Sequence, residues 1–212
     1  LFPLGYGQKV KAHLDLYLNF SQSTWKDLSP QKILIGLNPN WPSLENQPEH
    51  YQLKHPLGWQ YLVPEQNLQA FIKKNQAKEI SSQEWESLRI SLIYPKQGQD
   101  FNEENFPAET GLDKSHVSFN KGCYLGQETT ARIESQGRVQ QKIYLLKLNQ
   151  APEKNLPLEV FQGEKKLGTL SSIGLSKEAN LGLAMLKTRE LQKNLNLQIK
   201  ANTVIEAQIR QN

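Results

Sequence analysis

From about residue 139 to the end of the chain, apolar and polar residues alternate, and this change of period constrains the fold more than any other feature. "QKIYLLKL" (141–148), "LEVFQGEKKLGTLSSI" (158–173) and "NLGLAML" (180–186) carry the alternation, which puts successive side chains on opposite faces of a strand. "QGEK" between two such runs reads as a hairpin turn. Leu195, Leu197 and Ile199, then Val204, Ala207 and Ile209, continue the pattern. Short strands in such close succession predict a small, mostly β domain over 140–212.

Residues 1–139 read differently. Val10, Leu14, Tyr17 and Leu18 fall at helical spacing, predicting an amphipathic helix over 8–20. "KILIGL" (32–37) is short, apolar and β-branched and predicts a buried strand; 38–58 reads as a loop with a short strand, and "WQYLV" (59–63) as another strand. Pro64 opens a helix expected to reach about 78. Ser81 and Glu84 have the spacing of a capping box, predicting a helix with Trp85, Leu88 and Leu92 on one face, ended by Pro95 and Gly98. The long polar stretch 95–122 is irregular, and segments of that kind are usually functional or mobile.

Composition narrows the function classes. With 37% hydrophobic and 22% charged residues, the chain is of ordinary globular composition. A net charge of +4 suits an anionic ligand without demanding one. A single cysteine excludes an intrachain disulfide, so a reducing compartment is the simpler expectation. No apolar run approaches the ~20 residues of a membrane helix, and no secretory signal pattern is present. His13, His50, His55 and His116 include no i, i+4 pair and there is no C-x-x-C, so no chain-encoded metal site is expected. Nucleotide loops of the G-x-x-x-x-G-K-[ST] and G-x-G-x-x-G types are absent, as is a G-x-S-x-G elbow. There is no basic stripe with interleaved aromatics, so neither DNA nor RNA is an expected partner.

"NKGCYLGQETTAR" (120–132) holds the lone Cys123 between Gly122 and Gly126, two residues from Lys121. "QETTARI" after Gly126 predicts a helix with Glu128 and Arg132 as an i, i+4 pair. Cys123 would lie just before that helix start, where the dipole and Lys121 would both favour the thiolate. A lone cysteine is also a common small core residue. The residues alone leave both readings open.

"SFNKGCYLGQETTAR" closely resembles the K-G-C-Y-x-G-Q-E-x-x-A-R signature of the YgfZ-type folate-binding proteins, relatives of the glycine-cleavage T-protein (an aminomethyltransferase). Lys121, Gly122, Cys123, Tyr124, Gly126, Gln127, Glu128, Ala131 and Arg132 all stand where the motif puts them. "LRI" (88–90), "PAETGLDKSHVSF" (107–119) and "KKLGTLSS" (165–172) resemble further family segments. The resemblance runs from about 8 to about 190. It implies an α+β fold: a T-protein-like folate-binding domain over 1–139, N-terminally incomplete, followed by a C-terminal β-barrel over 140–212. An exposed Cys123 at a central folate cavity separates this branch from the T-protein.

Two departures accompany the match. Ser91 stands where the T-protein has a carboxylate or amide side chain for the pterin. The part of the family's folate domain that supplies an aspartate for amine transfer has no counterpart here. The resemblance therefore implies a tetrahydrofolate-binding accessory protein in iron–sulfur cluster assembly or repair, with Cys123 as functional thiol meeting a transient cluster or a client protein. The alternative is a folate-dependent aminomethyl or one-carbon transferase. Folate-binding candidates are Arg89, Glu109, Glu128 and Arg132, with Lys121 and Arg138 adding positive charge. Its expected location is the cytoplasm, or an organellar matrix or stroma.

Overall fold

A computed structural model describes residues 6–18, 21–24, 32–36, 51–55, 58–153, 155–175, 179–192 and 196–210. The chain forms two compact units, 1–79 and 80–212. The expected division at 139/140 therefore falls inside the second unit, where it marks the start of the barrel.

The first unit holds helix α1 (Tyr6–Leu18), strands β1 (Lys32–Gly36), β2 (Tyr51–His55) and β3 (Gly58–Val63), and helix α2 (Leu68–Lys74). The strands form an antiparallel sheet in the order β1-β3-β2, with Leu34 opposite Tyr61 and Leu53 opposite Gln60. Tyr61 and Val63 are buried beside Phe71 of α2, whose ring lies 5.2 Å from that of Tyr61. The helix expected from Pro64 to about 78 is shorter, because a 3-10 turn (Glu65–Asn67) precedes α2. At its other end, the Asn75 side chain donates to the Phe71 carbonyl, closing the last turn, and Gln76 takes a φ of 51°. Residues 37–50, including part of the expected loop, lie outside the described residues.

The second unit contains helices α3 (Ser82–Ser91), α4 (Pro107–Thr110), α5 (Asp113–His116) and α6 (Gln127–Gln136). Strands β4 (Gln141–Leu148), β5 (Leu158–Gln162), β6 (Lys165–Leu175), β7 (Asn180–Lys187), β8 (Leu197–Lys200) and β9 (Val204–Ile209) follow. These six strands close an antiparallel barrel in the order β4-β7-β6-β5-β8-β9. Leu146, Val160, Leu170, Leu186, Ile199 and Ile205 share its core. The continuous apolar run in β4 has a physical reason. Leu146 and Leu148 join the barrel core, while Ile143 and Leu145 on the other face pack with Ile90 of α3.

Helix α3 begins as its sequence predicts. Ser81 Oγ accepts from the Glu84 amide at 3.2 Å, and the Glu84 carboxylate accepts from the Ser81 amide at 2.7 Å. Its buried residues, however, are Arg89 and Ile90; Trp85 and Leu88 are half-buried, and Leu92 is 49% exposed just past the helix. The barrel decides which face is covered. At Gly174 of β6 an added Cβ would lie 2.9 Å from the Ser87 Cα, so helix backbone and strand approach to a distance that excludes a side chain.

A buried polar cluster fastens the same junction. Arg89, 1% exposed, donates from Nη1 to Asp100 Oδ2 at 2.8 Å and to the Tyr94 carbonyl. From Nη2 it donates to Ser172 Oγ on β6 at 2.8 Å and to Glu86 Oε2, which also accepts from Nε. Asp100 is satisfied on both oxygens. Oδ1 accepts from the hydroxyls of Ser171 and Ser172, and Oδ2 accepts from the Lys96 amide as well as from Arg89. Burial alone lowers the affinity of Arg89 for its proton, but the Glu86 bond and the Asp100 charge outweigh it and hold the guanidinium above its ordinary pKa.

Two outcomes follow for stability. Arg89→Ala leaves the Asp100 carboxylate buried without its cation and should lower the unfolding free energy in urea by about 3–5 kcal/mol. Gly174→Ala should cost about 1–3 kcal/mol, because the atom an added Cβ meets is backbone and not a side-chain tip.

Candidate functional site

The signature segment lies on the surface of the second unit. Cys123 is exposed, in a stretch (117–124) without helix or strand that leads into α6. Gly126 is the N-cap of α6 with a φ of 86°, a left-handed conformation that side chains other than glycine adopt at a cost. Just ahead of it, Tyr124 and Gln127 bind each other reciprocally. The Tyr124 amide donates to Gln127 Oε1 at 3.2 Å, and the Gln127 amide donates to the Tyr124 carbonyl at 3.2 Å. The Lys121 ammonium sits 4.7 Å from the centroid of the Tyr124 ring, a cation–π contact. Gly126, Gln127, Tyr124 and Lys121 of the motif thus build one fixed turn, and Cys123 is carried on it facing solvent.

That arrangement differs in detail from the thiolate pocket expected of the sequence. Cys123 lies three residues ahead of the N-cap, outside the first helical turn, and the Lys121 charge is placed over an aromatic face. Among the described residues no hydrogen bond reaches the thiol. The Tyr124 hydroxyl is enclosed with no hydrogen-bond partner, an unusual state for a buried polar atom. Leu125, beside it, is 86% exposed, the most exposed of the large apolar residues described.

The candidate folate residues separate into two pairs. Glu128 and Arg132 are exposed on α6, and among the described residues no ion pair joins them, contrary to the i, i+4 expectation. Arg89 and Glu109 are structural. All five N–H groups of Arg89 are engaged in the buried cluster, which leaves none for a ligand. Glu109 is buried at the third position of α4. Its Oε2 accepts from the Phe106 amide, the Asn105 side chain and, more weakly at 3.4 Å, Gln141 at the start of β4. It caps a helix and ties that helix to the barrel. Ser91 is exposed and donates to the Leu88 carbonyl.

Arg138, expected beside a helix start, follows the C-cap Gly137 at the other end of α6, whose ten residues span about 15 Å. It borders a hollow of about 690 Å³ together with Lys114, Lys142 and Arg189. Cys123 does not line this hollow. No sequence signal announces the hollow, because its cations are drawn from three separated stretches of chain, around 114, 138–142 and 189. Among the described residues no group of three His, Cys, Asp or Glu is placed to hold a metal ion, and no helix is long and apolar enough to cross a membrane.

Comparison with known proteins agrees with the geometry at the level of fold. No protein-family model matches the chain. It is 35% identical over 105 residues to the chloroplastic protein At1g60990 of Arabidopsis thaliana, covering 49% of this chain and 24% of that one. The "tRNA-modifying protein YgfZ" of Serratia proteamaculans is 27% identical over 140 residues, covering 64% and 42%. That of Blochmanniella pennsylvanica is 30% identical over 127 residues, covering 58% and 37%. The chain thus spans less than half the length of these relatives. Among solved structures, the glycine cleavage system aminomethyltransferase T of Bartonella henselae superposes with a TM-score of 0.64 at 14% identity, over 78% of this chain and 49% of that one. The chain is thus similar in sequence to part of the YgfZ proteins and shares the fold of the T-protein structure, and its K-G-C-Y segment lies on an exposed turn.

Proposed function

We propose that the chain is a tetrahydrofolate-binding accessory protein of iron–sulfur cluster assembly or repair, with Cys123 as its working thiol. The observation that carries this reading is the presentation of Cys123, the only cysteine, on a turn fixed by its own motif residues and open to solvent. A thiol so placed can lend its sulfur to an incoming iron centre without disturbing the core.

The residues suit the acidic end of a folate better than its pterin. Arg132 is exposed and has no ion pair among the described residues, and a guanidinium matches a carboxylate in a two-pronged geometry. Glu128, one turn earlier on α6, is the remaining carboxylate candidate for the pterin, since Glu109 is held in its cap and position 91 is a serine. A bound folate supplies a carrier for one-carbon units; Arg132 and Glu128 would bind and orient it. The proposed setting is an aqueous compartment, cytoplasm or organellar matrix or stroma.

A second reading, an aminomethyl or one-carbon transferase, draws on the T-protein fold. Purified protein incubated with tetrahydrofolate and an aminomethyl donor separates the two: formation of a methylene-folate product favours the transferase, and its absence favours the accessory role.

Calorimetric titration with 5-formyltetrahydrofolate should show Arg132→Ala binding about tenfold more weakly than the wild type, the loss of one charge-assisted contact. Equal affinities would remove Arg132 from the site. Cells carrying Cys123→Ala as their only copy should lose several-fold of the activity of a cluster-dependent enzyme. The variant protein should melt as the wild type does, since the side chain is exposed. Unchanged enzyme activity in those cells would discard the thiol role.

A further inference from the structure

The hollow at the C-terminal end of α6 has a charge pattern that the folding of the unit does not account for. Lys114 of α5, Arg138 after α6, Lys142 of β4 and Arg189 after β7 converge on about 690 Å³ of open volume, a size suited to a small-molecule ligand. Only Asp113 and Glu134 oppose them on the rim, and among the described residues none of the four cations forms an ion pair. Glu190, next in sequence to Arg189, is instead shared between Lys165 at 3.5 Å and Lys187 at 3.7 Å. Four cations against two carboxylates leave an excess of positive charge around the hollow, and a bound anion would offset it.

The rim is also held in place. Thr188 donates from its amide to the Gln140 carbonyl at 2.9 Å and from its hydroxyl to the Val139 carbonyl at 2.5 Å. That seam extends the β4–β7 pairing beyond Gln141 and Lys187, so Arg138 and Arg189 flank a bonded ladder on its two strands. A helix C-terminus ordinarily repels anions through its free carbonyls. Here the Gly137 amide donates to the carbonyls of both Ile133 and Glu134, so those two are partnered, and the four cations stand against the rest of that field.

We infer that this hollow is a binding site for a small polyanion, a molecule of about nucleotide size bearing several phosphate or carboxylate groups, gripped by Arg138 and Arg189 with Lys114 and Lys142 beside them. The site is distinct from the Cys123 turn and does not depend on the folate reading. Arginines seat phosphate and carboxylate through paired N–H groups, while lysines supply mobile charge.

The test is calorimetry at about 150 mM salt, a concentration that screens loose surface attraction, with tripolyphosphate, ATP and citrate as probes. Arg138→Gln/Arg189→Gln, checked for an unchanged circular-dichroism melt, is compared with wild type and with Lys147→Gln, an exposed β4 residue that does not line the hollow. At least one probe should bind the wild type and the Lys147 variant alike and the double variant about tenfold or more weakly. Preference for tripolyphosphate or ATP over citrate would assign the site to phosphates, and the reverse to carboxylates. Equal binding by the double variant, or no binding of any probe while a short RNA homopolymer binds or fails to bind, overturns the inference. Should the double variant melt early, Arg138→Lys/Arg189→Lys replaces it and should retain partial affinity; full or zero change relative to wild type in that variant counts against the arginines.

Discussion

Everything in the second unit depends on one buried ion pair, Arg89 with Asp100. The guanidinium comes from α3, the carboxylate from the turn after it, and the hydroxyls that complete the cluster from Ser171 and Ser172 on β6. Helix α3 and the turn after it are thereby fixed to strand β6 of the barrel, more than 70 residues further along the chain. Burying two charges is expensive, and the cost is offset only when every lone pair and proton finds a partner. That condition is met here, so the cluster acts as a register pin. It determines where α3 lies on β6, and the approach at Gly174 leaves no alternative position.

From that pin the rest of the unit is laid out in order. The turn holding Asp100 leads to α4, whose capping carboxylate Glu109 reaches Gln141 at the first residue of the barrel. Helix α6 then packs against α4 through Ile133 and Thr130, which border the same narrow gap as Phe106 and Phe119. Its two ends have unlike surroundings. At the N-terminal end stand Cys123 and a stacked lysine–tyrosine pair; at the C-terminal end stands a hollow rich in cations. The helix serves as a spacer between the two, and its solvent-facing side carries Glu128 and Arg132.

How much of this was legible in the sequence depended on whether the signal was local. The Ser81–Glu84 capping box, the start of α6 after Gly126 and the alternation of the barrel strands are written in adjacent residues, and each appears where expected. Arg89 misled because a charged residue in a polar helix reads as surface or as a ligand contact. Its partner Ser172 lies 83 residues away, beyond any window of periodicity. The same holds for Glu109, whose helix is four residues long and bears no apolar pattern. The shortened helix after Pro64 failed for the opposite reason: the Asn75 side chain closes the turn locally, and the propensity of the following residues does not overcome it. Cys123 was located by its motif, but its exposure is a property of the turn that Tyr124 and Gln127 form together.

The separation of the pinned junction from the cysteine turn explains how one fold can carry different chemistry. The barrel and α3 are stabilised by buried contacts in which the segment 117–126 takes almost no part. That segment is held by a backbone–side-chain reciprocal pair, a left-handed glycine and one cation–π contact, each local and each on the surface. Substitution within it therefore changes what is presented to solvent with little effect on the core, whereas substitution at the pin moves the platform itself. A reactive side chain carried on a locally determined turn can be exchanged on an unchanged scaffold, and the fold places no demand of its own that position 123 be a cysteine. Whatever Cys123 does is therefore decided at the surface, since packing gives no reason for a thiol at that position.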